Sequence, residues 1–326
     1  MRTNSVSFIF VLLIAASCNK DDNSEPGENQ GRDYKYEMRN FVIGISQYSK
    51  TLHSGFVIIP QNGQELVTSD GMAGGSIASG YINAIDGQGR EDLFYGYDSD
   101  DTPTASDTRN YLISFLDRIK QSGKIVLVTD YCFTQSKMTD SYVQSGGKGY
   151  VSFAADHRDL NNIPVFPPVI NNQNSDNVSA LSDAKNFLYL IDPTNFTKSQ
   201  FIGAINNTNY DLVIMDLFIN NEEFSAAEIE SMKQKKDGGK RLLICYMSIG
   251  EAEDYRYYWQ AAWNTSKPSW LGAENPAWPG NYQVNYWDKN WQNIIYGNDQ
   301  SYAKRILDAH FDGVYLDKID AFENFE

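Results

Sequence analysis

Carboxylates and side-chain amides recur in this chain just after short apolar runs. Gln61 and Asn62 follow Phe56–Pro60, Asp86 and Glu91 follow Tyr81–Ile85, and Asp130 and Tyr131 follow Lys124–Thr129. Asp156 and His157 follow Gly149–Phe153, Asp192 follows Asn186–Ile191, and Asp216 follows Asp211–Met215. Glu251 comes shortly after Arg241–Tyr246, and Asp317 and Asp320 after Asp312–Leu316. If these runs are strands that end at one mouth, the acids converge there. Like-charge repulsion and desolvation then raise some carboxyl pKa values while neighbours stay ionised. That is the condition for one carboxyl to donate a proton while another attacks or accepts. For any single acid a capping or solvated role is as ordinary as a chemical one; the recurrence carries the expectation.

The eight runs, separated by amphipathic stretches, have the pattern of parallel βα units. Thr108 to Ser122 places Tyr111, Leu112, Phe115, Leu116 and Ile119 on one stripe, and Ala226 to Lys236 follows Ser225 as N-cap and stops before Gly238-Gly239. A helix over Tyr34 to Thr51, with Met38, Phe41, Val42, Ile45 and Tyr48 on one face, precedes the first strand, and the last strand is followed by almost nothing. The expected fold is therefore α/β: a single (β/α)₈ TIM barrel, circularly permuted, helix first and strand last, over residues 34–326. Its seam lies between the final strand and the first helix. Residues 163–185, rich in Pro, Asn and Ser, would join the ends that the permutation closed. In such barrels chemistry sits at the C-terminal strand ends. An open α/β sheet, or a barrel with an added N-terminal helix, is the plainer alternative.

Composition narrows the partners. A formal net charge of −15 speaks against nucleic acid and is compatible with a cationic substrate. Three His (53, 157, 310) and three Cys (18, 132, 245) are scattered, so no zinc cluster or disulfide framework is expected, and Cys132 and Cys245 are expected to be free and buried. A metal-activated water, as in polysaccharide deacetylases, would need a ligand spacing such as H-x-H or H-x-x-x-H, which the chain lacks; only His157, beside Asp156, stands at a strand end. Neither a metal nor a cofactor is expected, and the molecule is expected to be a monomer.

All six Trp (259, 263, 270, 278, 287, 291) fall between the seventh and eighth strands, in a long loop over the mouth. Flat rings with polar tips suit stacking on sugars. Trp278, between Pro276 and Pro279, is expected to be structural, and rings that face the mouth to line subsites. Arg256 and Tyr255 are expected to orient Glu251 or to anchor the loop.

At the N-terminus, Arg2 and the apolar run Val6–Ala16 have the form of an export signal over residues 1–17. Ala15-Ala16-Ser17-Cys18 resembles the lipobox of bacterial lipoproteins, with Ala where Leu is usual; this implies lipid attachment at Cys18. Residues 18–33 read as a flexible tether, and Asn19-Lys20-Asp21-Asp22 is similar to acidic surface-export signals. An exported outer-membrane lipoprotein at the cell surface, touching the membrane through its anchor only, is the resulting expectation.

Longer motifs are more specific. Gly238-Gly-Lys-Arg-Leu-Leu-Ile-Cys-Tyr-Met-Ser-Ile-Gly-Glu-Ala-Glu-Asp-Tyr-Arg256 and Glu274-Asn-Pro-Ala-Trp-Pro-Gly280 resemble the third-strand region of glycoside hydrolase family 114, and Phe311-Asp-Gly-Val-Tyr-Leu-Asp-Lys-Ile-Asp-Ala-Phe322 its fourth strand. Family members continue with segments like Ile59-Pro-Gln-Asn62 and Ile85-Asp-Gly-Gln-Gly-Arg-Glu-Asp-Leu-Phe-Tyr95, which here come first. The resemblance implies an endo-α-1,4-polygalactosaminidase-like glycosidase acting on an amino-sugar glycan. It implies Asp317 as nucleophile and Glu91 as acid/base, with Asp86 and Asp92 as rivals of Glu91. Asp216, Tyr246, Glu251, Asp320, Gln61, Asn62, Asp86, Asp130 and Tyr131 would then bind substrate. A glycan-binding lipoprotein without turnover is the competing class.

Overall fold

The computed structural model describes residues 31–326. The expected export signal, Cys18 and nearly all of the expected tether lie outside the described residues. The first described element is helix α1 (Tyr34–Leu52), which buries Met38, Phe41, Val42 and Ile45 along one face. Eight parallel strands follow: β1 (Val57–Pro60), β2 (Gly87–Glu91), β3 (Ile125–Tyr131), β4 (Val151–Ala155), β5 (Phe187–Tyr189), β6 (Leu212–Met215), β7 (Leu242–Ser248) and β8 (Gly313–Asp317). The helices are α2 (Ser79–Ala84), α3 (Ser106–Gln121), α4 (Gln135–Lys148), α5 (Lys198–Asn206), α6 (Ala226–Met232), α7 (Lys289–Ile295) and α8 (Tyr302–Asp308). Each strand is buried at every residue or at all but one end residue, as parallel strands covered on both faces must be.

Hydrogen bonding divides the strands into a five-stranded sheet, in the order β1-β8-β7-β6-β5, and a three-stranded sheet, β2-β3-β4. The first pairs in register, with Ile59 opposite Tyr315 and Tyr315 opposite Tyr246. The sheets meet on one side through the Gln61–Gly89 bridge, reinforced by the Asn62 amide donating to the Gly89 carbonyl at 2.9 Å. On the other side Phe153 of β4 faces Phe187 of β5 with ring centroids 5.7 Å apart, and the Leu160 carbonyl accepts from the Ile191 and Asp192 amides at 3.1 and 3.2 Å. The expected single closed ladder is thus found as two parallel ladders of five and three strands.

One predicted strand is a helix. Tyr81–Ile85 lies in and just after α2, whose Tyr81 and Ile82 are buried. Its C-terminal carbonyls are satisfied from outside: Ala84 by Ser46 Oγ at 2.6 Å and Lys50 Nζ at 3.3 Å, and Ile85 by Lys124 Nζ at 2.7 Å. The strand is instead Gly87-Gln88-Gly89-Arg90-Glu91, which has no apolar side chain to betray it. The reason is Tyr315: a Cβ on Gly89 would stand 2.0 Å from its hydroxyl, so the neighbouring strand supplies the bulk and β2 must supply none. The helix after Ser225 also ends earlier than predicted, at Met232, although Ser225 forms the expected cap, its amide donating to Glu228 Oε2 at 2.8 Å.

Candidate active site

Gly250 passes so close to the chain after β8 that a Cβ there would lie 2.0 Å from the Lys318 carbonyl. Lys318 itself is left-handed (φ 61°), which aims its amide back at Asp317 Oδ1, 2.8 Å away. Tyr246, from β7, donates its hydroxyl to Asp317 Oδ2 at 2.6 Å. Across the mouth, at the end of β2, Glu91 is held by three groups. Tyr131 donates its hydroxyl to Oε1, Asn62 Nδ2 donates to Oε2 at 3.0 Å, and the Glu91 amide donates back to Asn62 Oδ1 at 3.2 Å. Asn62 reaches this position in a left-handed conformation (φ 61°).

Glu91 and Asp317 line one cavity of about 520 Å³, together with Gln61, Asn62, Tyr131, Asp216, Tyr246 and Asp320 from the predicted set. Seven acids and three bases line it in all. Burial, and then the charge of Glu91, push the Asp317 carboxyl up to about 7, against the opposing pull of Tyr246 and Lys318. Burial followed by the carboxylate charges holds the phenols of Tyr131 and Tyr246 well above their ordinary range, so both remain donors. Asp320 is raised by burial, with Lys318 and Arg90 opposing. The arrangement sets two carboxylates, each bonded by a phenol, on one cavity, with the proton on Asp317 favoured by burial.

Other predicted residues stand elsewhere. Asp86 precedes β2 and lies at the opposite, N-terminal edge of the strands, where its Oδ2 accepts from the Ile58 amide at 2.8 Å and it pairs with Lys50 at 2.9 Å. The misplaced strand is the cause: with β2 beginning at Gly87, Asp86 falls at its start and not at an end. Asp130 is fully buried among the Phe94 amide (2.9 Å), the Tyr95 amide (3.3 Å) and Ser141 Oγ (2.6 Å), and burial pushes it up to about 6. Asp92, the rival of Glu91, is taken up by Arg158 at 2.9 Å. Glu251 is buried and holds Asn275 Nδ2 (2.8 Å), Asn281 Nδ2 (3.3 Å) and Lys318 Nζ (3.3 Å). Arg256 does not orient it; its guanidinium grips Glu253 at 2.6 Å and Asp216 at 2.7 Å. Burial works against that charge, but the two carboxylates outweigh it and hold Arg256 well above its ordinary value. His157 is exposed and bonded to Asp156 and Asn162 at 3.1 Å each.

The aromatic expectation is reversed in part. Trp259, Trp263, Trp270 and Trp291 form a chain of ring contacts at 5.1 to 5.2 Å, a small core under the loop. Trp278, expected to be structural, is 52% exposed and lines the cavity. Arg158, Asp159, Asp192, Glu253, Asn281 and Lys318 are the other charged and amide residues of the lining besides Arg256, and among these only Asp192 stands in the predicted rim. Asp159 follows β4 as directly as the acids that were found, and Glu253 and Lys318 lie inside the quoted motifs, so the strand-end rule applied to every residue would have found them. Cys132 and Cys245 are free and buried. Among the described residues no three His, Cys, Asp or Glu side chains are grouped to hold a metal ion, and no helix is long and apolar enough to cross a membrane.

Residues 171–326 match the model of glycoside-hydrolase family GH114. The GH114 stretch contains β5 to β8 and hence Asp216, Tyr246, Glu251, Asp317 and Asp320; Glu91 precedes it. Uncharacterized proteins are similar to parts of the chain. One from Thermotoga maritima is 41% identical over 119 residues, 36% of this chain and 35% of the relative. One from Methanocaldococcus jannaschii is 42% identical over 156 residues, 47% of this chain and 42% of the relative. One from Deinococcus radiodurans is 39% identical over 126 residues, 38% of each. The chain spans about two fifths of the length of these curated relatives.

Proposed function

We propose that this protein is a retaining glycoside hydrolase that cleaves α-glycosidic bonds in a polygalactosamine-like amino-sugar polymer. The observation that carries the reading is the pairing of Glu91 and Asp317 in one cavity, each held by a phenol donor. Glu91 protonates the leaving oxygen and later takes a proton from water; ionised Asp317 attacks the anomeric carbon and forms the glycosyl-enzyme. Seven acids against three bases around the cavity favour a substrate bearing ammonium groups. Tyr246 supports the ionised nucleophile, and Asn62 and Tyr131 aim the acid.

The same reading takes the two parallel sheets as halves of a permuted (β/α)₈ barrel. Support comes from the Gln61–Gly89 bridge, the Phe153–Phe187 contact, and the confinement of the family match to 171–326 while segments like Ile59–Asn62 and Ile85–Tyr95 come earlier. Export, lipid attachment at Cys18 and surface anchoring rest on the sequence of residues 1–33, and the enzyme is proposed to be a monomer.

The test is reducing-end release from partly deacetylated α-1,4-galactosaminogalactan by wild type, Asp317→Asn and Glu91→Gln. Each substitution is expected to lower release by about 10²–10⁴-fold with melting unchanged. Retention of the anomeric configuration in the first product is expected, with carboxyl groups about 5–5.5 Å apart; inversion would point to a separation of roughly 6.5–9.5 Å and a different role for Asp317. Binding without release by all three proteins would replace hydrolysis by glycan capture.

A further inference from the structure

Beside the catalytic cavity lies a second one of about 400 Å³, between the segment after β5 and the hairpin of Phe218–Ile219 with Glu222–Glu223. The two adjoin along Ile191, Asp192, Asp216, Tyr255 and Arg256. Asp192 and Tyr255 are exposed, so the partition, fixed below by the Asp216–Arg256 ion pair at 2.7 Å, is open to solvent along its top. Resting on the hydrolase reading, we propose that this second cavity is a saccharide subsite that takes a further pyranose ring of the same glycan chain.

Its walls have the chemistry of a sugar site: a flat apolar surface with a few fixed polar groups. Phe218 stacks on Tyr257 with centroids 6.1 Å apart and planes 30° apart, and the Arg305 guanidinium clamps Tyr257 at 3.9 Å. Asn220 and Asn221 turn the hairpin in left-handed conformations (φ 49° and 65°), and Asn220 Nδ2 locks it to the Phe196 carbonyl at 2.9 Å. The subsite is therefore preformed, and Asp192 stands at the junction to meet a hydroxyl or an ammonium group.

The experiment measures kcat/KM for defined α-1,4-galactosamine oligomers of increasing length, using wild type, Phe218→Ala and Thr194→Trp. Thr194 is exposed and lines only the second cavity, so the indole fills it without removing any packed side chain; it decides the matter if Phe218→Ala fails to fold. Wild type is expected to gain about tenfold once the oligomer reaches the second cavity. Both variants should lose most of that gain while staying within about twofold on the shortest oligomer cut. Variants that keep the gain, or that lose rate equally at every length, would overturn the subsite. If no oligomer is cut, calorimetric affinities for the same series separate the two claims. A length-dependent affinity lost in the variants sustains the subsite and sinks the hydrolase reading; an affinity independent of length sinks the subsite.

Discussion

Asp317 stands under three influences of the same sign, burial first and then the charges of Glu91 and Asp320, and two of the opposite sign, Tyr246 and Lys318; the balance leaves its carboxyl at about 7. As nucleophile it must be ionised, so kcat/KM should rise with pH through about 7. Tyr246→Phe removes the donor at 2.6 Å that favours the ionised form, and the rising limb should then move to higher pH, by up to about one unit for each 1.4 kcal/mol of hydrogen-bond free energy lost. A limb that stays in place, or activity that falls as pH rises through 7, would assign the proton on Asp317 to catalysis and exchange the roles of the two carboxyls. Asp317, Tyr246 and Asp320 were legible in the sequence because the chain that holds them is contiguous with the strand that aims them. Arg158 and the new partner of Arg256 were not. Their positions follow from ion pairs between distant segments, Asp92 with Arg158 and Asp216 with Arg256, which no local pattern announces.

Among the elements, the connection from β4 to β5 is the anomalous one: residues 156–186 hold no helix beyond the short 3₁₀ turn Leu181–Asp183. What fixes this segment is Asp211, at the start of β6. Its carboxylate accepts from Asn174 Nδ2, the Lys185 amide and Lys235 Nζ, each at 2.9 Å, and both charged side chains are wholly buried. Asp211→Asn keeps the shape and removes the charge, stranding the Lys235 ammonium. The expected loss is about 3–5 kcal/mol in urea unfolding, partly restored by Lys235→Met in the double variant. A loss below about 1 kcal/mol would show that the network is dispensable. Elements such as this and β2 mark where sequence patterning stops. Seven of the eight predicted apolar runs are strands because parallel strands covered on both faces are apolar throughout. β2 escapes because its residue Gly89 yields its volume to Tyr315 of β8, a bargain between strands far apart in sequence.

At the scale of the whole compact unit, 34–326, the helix that opens it and the turn that closes it are neighbours. The Tyr34 ring stacks on Phe325 with centroids 5.3 Å apart and planes 27° apart, Lys35 pairs with Glu326, and β8 pairs in parallel with β1. β8, α1 and β1 therefore make a β-α-β arrangement in space without a peptide link between its first two members. If the chain is a permuted barrel, moving the opening should be nearly neutral. Joining Glu326 to Tyr34 through a short flexible linker adds one loop closure and opening the chain elsewhere removes one, and each varies only slowly with loop length. The new opening must avoid 172–186, which Asp211 anchors, and belongs near Val165 and Val169, 88% and 63% exposed. A protein so rearranged is expected to fold, to unfold within about 2 kcal/mol of the parent, and to keep its full dependence on Asp317 and Glu91, since both carboxylates and their phenol donors sit on strands outside the joined and opened segments. An opening at 174–178 instead should cost as much as Asp211→Asn. If the Val165 opening, which severs the β4–β5 connection away from the Asp211 anchor, unfolds the protein as well, β4 and β5 are held by their covalent connection, and the two sheets are not halves of one barrel.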